Sequence, residues 1–308
     1  MRIGMMIGEG GSLGGTLDAL VAQVQGAESD GLHTAWFPNI FGIDAMTLAT
    51  VAGRVTSRIE LGTAVVPTYP RHPMAMAQQA LSTQVACGNR FALGIGLSHQ
   101  VVIESMFGMS FAKPYSHMKE YLAVLAPLIR DGSVSFRGDA FRVTGNLKVE
   151  GAKPCSILLA ALAPKMLGLA GSVGDGTITW MTGPKTLREH TVPRINEAAS
   201  QAGRPAPRVV AGLPIAITSD VAGAKAIAGQ FFQIYGVLPS YRAMLDREGV
   251  EGPADVALAG DEDTVAGQIA ALGKIGVTDF LAAPFPVGKD PGASLDRTMK
   301  LLSRLARS

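Results

Sequence analysis

The chain of 308 residues can bury a large core, and only 17% of it is charged, for a formal net charge of +2. It therefore offers no basic field to a nucleic acid, and its 47% hydrophobic content includes no uninterrupted apolar run long enough to span a bilayer. The chain is expected to be soluble and to form one domain over residues 1–308, with a near-neutral surface that suits a small-molecule enzyme or an oligomer.

The chain enters an apolar strand at once, Arg2 to Ile7, without a charged leader and cleavage site, and nothing directs it to secretion. The loop GEGGSLGG that follows lacks the GK[ST] ending of a P-loop and reads as a mobile lip. Thr16 or Asp18 caps a helix to about Asp30, and His33 to Pro38 is a second strand. Asp44 to Val55 is a second helix. Ile59 to Val66 is apolar and β-branched, as a strand buried on both faces should be, and Pro67, Pro70 and Pro73 then take the chain out of the sheet. A helix from Met74 to Val85 and a strand from Phe91 to Ile95 complete a β-α-β unit. It sets TYPRHP and GLSH side by side at the carboxyl ends of two strands, where parallel α/β folds place their chemistry.

After Ser98 the alternation loosens into an insertion, about 99–154, with a packed helix from Tyr115 to Arg130 and a hairpin of Val134–Arg137 and Phe141–Thr144 around Gly138-Asp139. Strand five is Ser156 to Ala160, followed by a helix from Pro164 to about Val173 and strand six at Thr177 to Trp180. Pro184 opens a helix that Pro193 should kink. Arg208 to Ile217 is strand seven, a mostly helical stretch runs to about Ala271, Thr278 to Ala283 is strand eight, and Leu295 to Leu305 closes the chain. Eight strands alternating with helices predict a (β/α)₈ TIM barrel. An open doubly wound sheet is the alternative.

Cys87 and Cys155 lie far apart in apolar segments with no metal spacing, as reduced cysteines of a cytoplasmic protein do, and the five histidines form no HxH or HExxH, so no metal is expected. By the barrel rule, chemistry falls to the loops after strands. His99 can pass a proton near neutral pH, or can be a hydrogen-bonded loop histidine. Arg71 and His72 suit an anion or a rigid turn. Trp180 offers a flat face to a ring or to ordinary packing, and Glu9 is a loop carboxylate. GIGLSH lacks the third glycine and the acidic residue of a dinucleotide fingerprint. LAALAPKM, from Leu159, would let backbone N–H groups approach a phosphate at a helix N-terminus, or is simply a tight turn.

LGTAVVPTYPRHP with the later ALGIGLSH resembles the luciferase-like monooxygenase superfamily, and more closely its branch that uses the deazaflavin coenzyme F-420. MRIGMMIGEG, FGMSFAKPYSHMKEYLAVLAPLI and LLAALAPKMLGLAGSVGDGTITW extend the similarity over nearly the whole chain. The resemblance implies a barrel with the cofactor ring across its carboxyl end, a non-prolyl cis peptide at Ala64-Val65, and a phosphate-binding turn at Ala160, Ala161, Leu162, Ala163, Pro164, Lys165 and Met166. Asn39 matches the acid or amide that touches the deazaflavin ring, and Gly96, Leu97, Ser98 and Trp180 join the cofactor set. Sugar-phosphate dehydrogenase relatives carry a histidine where this chain has Ile40 and a glutamate proton donor where it has His99. A sugar phosphate is therefore not expected, and His99 becomes the proton partner. Glu9, Tyr69, Arg71 and His72 are substrate candidates, and Tyr235, Tyr241 and Arg242 could shape the pocket or meet the cofactor's acidic tail.

The implied activity is hydride transfer between reduced coenzyme F-420 and a small organic C=C, C=N or C=O substrate, in a homodimer. With FMN in the same cradle the protein would be a two-component monooxygenase. A noncatalytic cofactor-binding protein and a non-redox barrel lyase are further readings.

Overall fold

A computed structural model describes residues 1–9 and 14–308; most of the glycine-rich lip, residues 10–13, lies outside the described residues. In chain order, β1 (Arg2–Met6), α1 (Leu17–Ser29), β2 (Thr34–Phe37), α2 (Ala45–Arg54), β3 (Glu60–Thr63), β4 (Val66–Pro67), α3 (Pro73–Ala86) and β5 (Phe91–Gly96) form the first half. The insertion holds α4 (Pro114–Arg130) and the antiparallel hairpin β6 (Ser133–Arg137) and β7 (Arg142–Asn146). The Glu120 carboxylate ties this hairpin to α4 by accepting the N–H groups of Asp139, Ala140 and Phe141. Then come β8 (Ser156–Leu159), α5 (Pro164–Ser172), β9 (Gly176–Trp180), α6 (Pro184–Thr186), α7 (Val192–Gln201), β10 (Arg208–Ile217), α8 (Val221–Phe231), α9 (Pro239–Glu248), β11 (Leu258–Gly260), α10 (Glu262–Lys274), β12 (Asp279–Pro284) and α11 (Pro291–Arg307).

Eight parallel strands close into a barrel in the order β10, β12, β1, β2, β3, β5, β8 and β9, and β9 pairs back onto β10. The protein is a (β/α)₈ barrel, not an open sheet. Its lumen is filled by Met6, Trp36, Ala92, Leu158, Ile178, Val210, Leu281 and Ala283. Trp36 is fully buried there, and its ring occupies the space that a Cβ on Gly62 would need, 2.3 Å from the nearest ring carbon. A larger apolar layer joins the outside of the barrel to the helices.

The two ends of the barrel differ in chemistry. Arg2, Glu60, Arg208 and Asp279 are the first residues of β1, β3, β10 and β12, and they form one ionic cluster at the amino end. Arg208 spans Glu60 and Asp279 while its guanidinium lies 5.8 Å from the Trp36 ring centre. The amino end is thus closed by paired charge. The carboxyl end is open.

Four local expectations are corrected. The third strand, read as continuous from Ile59 to Val66, is split into β3 and β4, and the expected non-prolyl cis peptide joins Ala64 to Val65 between them. Pro67 does not yet leave the sheet: it has no N–H to give, but at the ladder's edge it still aligns with Gly96 as the last residue of β4. The helix opened by Pro184 passes through a π-helical turn at Leu187–Thr191 before Pro193, so α7 starts afresh with proline in its first turn, where the missing N–H is harmless. The stretch read as helical also contains β11, which extends the ladder of β10.

Candidate functional site at the carboxyl end of the barrel

The strand ends β3 to β9 surround a cavity of about 1150 Å³. Its floor is Ala64, Val65, Gly96 and Ala160, its walls include Ser98, His99, Ile178, Thr179 and Trp180, and Leu238 to Tyr241 at the start of α9 close one side. A second compartment of about 250 Å³ shares Ala64, Val65, Ser98, His99, Trp180 and Tyr241 with the first, and is bounded beyond them by Pro38, Ile40, Phe41, Phe107 and Ile234. His99 and Trp180 therefore stand where a large space meets a small one.

The floor depends on a missing side chain. A Cβ on Gly96 would lie 2.6 Å from Val65 Cγ2 and 3.2 Å from Ala160 Cβ, so only glycine lets these two walls approach. Beyond Gly96, Ser98 takes a positive φ of 62°, which turns the chain toward His99. The His99 backbone carbonyl accepts the N–H groups of Val102 and Ile103, fixing the loop, and its ring lies 5.7 Å from that of Tyr241. Burial lowers the His99 pKa below the usual histidine value, so the ring is neutral at pH 7. Burial likewise raises that of Tyr241, which stays a phenol.

At the far side of the large compartment, α5 begins with Ala163 as N-cap, without a side-chain hydrogen bond, and with Pro164 in its first turn. The first-turn N–H groups of Lys165 and Met166 have no partner within the helix, and the Lys165 ammonium, 5.8 Å above the Tyr115 ring, adds positive charge. The preceding turn is held from behind. Thr177 Oγ1 donates to the Leu159 carbonyl at 2.8 Å, and His190 Nε2 lies 2.7 Å from the Leu162 carbonyl. Arg194 donates to His190 Nδ1, so the imidazole proton is on Nε2 and is given to Leu162. This end can hold an anion. The Trp180 indole N–H is buried beside the Tyr235 side chain, whose ring stands edge-on to it.

Of the residues singled out from the sequence, Ala64, Val65, Gly96, Leu97, Ser98, His99, Ala160, Leu162, Ala163, Pro164, Lys165, Met166 and Trp180 line the large cavity, and Asn39 lines the small one. Asn39 also accepts the Ala45 N–H at the head of α2. Ala161 is fully buried behind the turn. The substrate candidates are placed otherwise. Arg71 is ion-paired to Asp44, and His72 caps α3 by accepting the Met74 N–H. Tyr69 stacks on His117 with ring centres 4.0 Å apart and on Phe111, with its hydroxyl buried and unpartnered. Glu9 accepts the Phe41 N–H at 2.7 Å. None of these four lines either compartment. Arg242 binds Asp246 and the Glu251 and Val250 carbonyls, whereas Tyr241 lines both spaces and Tyr235 the smaller.

Sequence reasoning missed Glu104, Phe111 and Tyr115 as lining residues, and His190 as the support of the turn. The first three come from the insertion, which has no fixed place relative to the strands until the chain is folded. Among the described residues no group of His, Cys, Asp or Glu is placed to hold a metal ion, and no helix is long and apolar enough to cross a membrane.

A family model described as luciferase-like monooxygenase matches residues 1–279. Among curated proteins, the 5,10-methylenetetrahydromethanopterin reductase of Methanolobus tindarius is 30% identical over 279 residues, covering 90% of this chain and 84% of that protein. A putative coenzyme F-420-dependent oxidoreductase of Mycobacterium tuberculosis is 28% identical over 255 residues, covering 76% of this chain and 72% of the relative. Among solved structures, the coenzyme F-420-dependent tetrahydromethanopterin reductase from Methanopyrus kandleri superposes with a TM-score of 0.80 at 22% identity over 98% of this chain and 97% of the other, a likeness of fold. Taken with the barrel, its open carboxyl end and the match over nearly its whole length, this chain belongs to the luciferase-like monooxygenase family.

Proposed function

We propose that the protein is a coenzyme F-420-dependent oxidoreductase that transfers a hydride between the cofactor and a small organic substrate bearing C=C, C=N or C=O. The observation that carries this reading is the junction of the two compartments at His99: one space is large enough for a ring with an anionic tail, and the other is the size of a small substrate. Relatives described as F-420-dependent support the choice of cofactor.

The residues present fit that group. Lys165 and the first-turn N–H groups of α5 would hold a phosphate, and Ala64, Val65 and Gly96 would carry the ring beside Trp180. When bound, the reduced deazaflavin supplies a hydride without readily forming a peroxide with oxygen. His99 moves the accompanying proton: its neutral imidazole accepts one in the oxidative direction, and its imidazolium, made more acidic by burial, returns one in the reductive direction.

The same reading carries a homodimer, for which exposed Val51 of α2, Val55 just after it and Val85 of α3 offer apolar surface, and a cytoplasmic site, which suits two buried free cysteines. Sedimentation would test the dimer. The activity is tested anaerobically, by mixing protein and reduced coenzyme F-420 with a panel of ketones, enones and imines. Reoxidation of the cofactor that His99→Ala slows by about 10²–10⁴-fold, with cofactor affinity kept, is the expected result. Oxygen uptake with reduced FMN and no turnover of the deazaflavin would overturn it.

A further inference from the structure

We infer that the substrate of this site is an uncharged, largely apolar molecule, selected by the smaller compartment. The inference rests on the proposed function for the identity of the larger compartment, and on the walls of the smaller one for its chemistry. None of the described residues lining the small space is Asp, Glu, Lys or Arg. Its polar groups are Asn39, whose side-chain oxygen is already occupied by the Ala45 N–H, and Ser98, His99, Thr179, Trp180, Tyr235 and Tyr241, all of them neutral at pH 7 or shared with the larger space. Two carboxylates stand on these loops without lining the compartment: Glu9 is bound to the Phe41 N–H, and Glu104, on the turn that carries Val102, faces the larger space and accepts from the Gln100 side chain and the Phe111 N–H.

The compartment is built to cover apolar surface. Ile40 and Phe41 from the loop after β2, Phe107 from the end of the π-helical turn at Val102–Met106, and Ile234 from the turn before α9 converge on it from three segments. All four are exposed large hydrophobic side chains, between 42% and 57% accessible. An apolar occupant would remove part of that surface from water, whereas a carboxylate, phosphate or ammonium group would lose its hydration with no counter-charge to meet. At protein-interior packing density the space takes roughly ten to fifteen non-hydrogen atoms. It is enough for a monocyclic ketone or enone, or for one end of a longer apolar molecule that extends past the exposed rim. Anionic groups are instead served at the other end of the cavity, by Lys165 and α5, some distance along the strand ends from this compartment.

The test uses the protein loaded with coenzyme F-420 and three ligands sharing one skeleton: 4-phenyl-2-butanone, its analogue with a ring carboxylate, and its analogue with a permanently charged ring trimethylammonium. Binding is read from tryptophan fluorescence, because Trp180 faces both compartments. The neutral ketone is expected to bind at least tenfold more tightly than either charged analogue. Val102→Asp, at the half-buried wall of the small space, is expected to weaken the ketone and to reverse the order of ketone and ammonium. Equal or tighter binding of the carboxylate, or no ketone binding at all, would overturn the inference. Should Val102→Asp fail to fold, the order of the three ligands on the unaltered protein still decides. A parallel titration of the protein with coenzyme F-420 separates the two claims. Failure there removes the cofactor assignment, and the ligand series repeated without cofactor continues to judge the chemistry of the compartment.

Discussion

Replacing Arg208 by methionine should damage the stability of the barrel and spare its binding site. The guanidinium makes two parallel bonds of 3.0 Å to the Glu60 carboxylate and one of 2.6 Å to Asp279 Oδ1, and the Asp279 side chain is only 3% exposed. The four-residue cluster with Arg2 is neutral; without Arg208 it carries one uncompensated negative charge in an almost closed end of the barrel. Removing one partner of a buried ion pair costs about 3–5 kcal/mol, and the low end applies because Arg2 remains 2.7 Å from Glu60 and Thr278 still donates to Asp279. Equilibrium urea unfolding followed by circular dichroism would read this as a loss of about 3 kcal/mol, while the affinity for coenzyme F-420, measured on the same folded sample, should stay within about twofold. A loss below about 1 kcal/mol, or a loss of cofactor affinity at unchanged stability, would refute the division of the barrel into a structural amino end and a functional carboxyl end.

Three further outcomes are expected. Gly96→Ala forces a methyl group against Val65 and Ala160 and should cost about 1–3 kcal/mol in urea unfolding together with at least a tenfold loss of cofactor affinity. Lys165→Met removes the cation beside the uncapped start of α5 and should weaken cofactor binding about tenfold at low salt, with a smaller difference at high salt. His117, buried against Tyr69, has its pKa pushed down to about 4, with the charge of Glu120 opposing the shift. The unfolded chain then binds the extra proton first, so this residue's contribution to stability is present at pH 7 and falls as pH drops from about 6.5 toward 4. Because the ring is only half-buried and solvent screens part of the effect, the loss between pH 7 and pH 5 should be about 1 kcal/mol, and His117→Gln should flatten the profile.

The eight barrel strands were legible because each is a short apolar run bounded by glycine, proline or a helix start, and buried parallel strands need no other signal. β11 was not, since Leu258–Gly260 is only three small or apolar residues between helical segments and owes its pairing to the end of β10. The broken third strand was hidden for a related reason: TAVVP reads as one β-branched run, and only the motif resemblance pointed to Ala64-Val65. The strand-end half of the site was readable from position. Arg71 and His72 misled because polar residues after a strand can serve the fold instead, Arg71 by pairing with Asp44 across two helix starts and His72 by capping α3. The contributions of Glu104, Phe111 and Tyr241 depend on where the insertion and α9 come to rest, and tertiary packing alone decides that.

The most direct test of the central claim is a pair of fluorescence titrations of the cofactor-free protein, one with coenzyme F-420 and one with FMN, under identical conditions. The cavity, the family and the relatives together predict micromolar or tighter binding of the deazaflavin and much weaker binding of FMN. Tight binding of FMN alone would contradict the account and make the protein a monooxygenase component, and binding of neither would leave the barrel without its proposed chemistry.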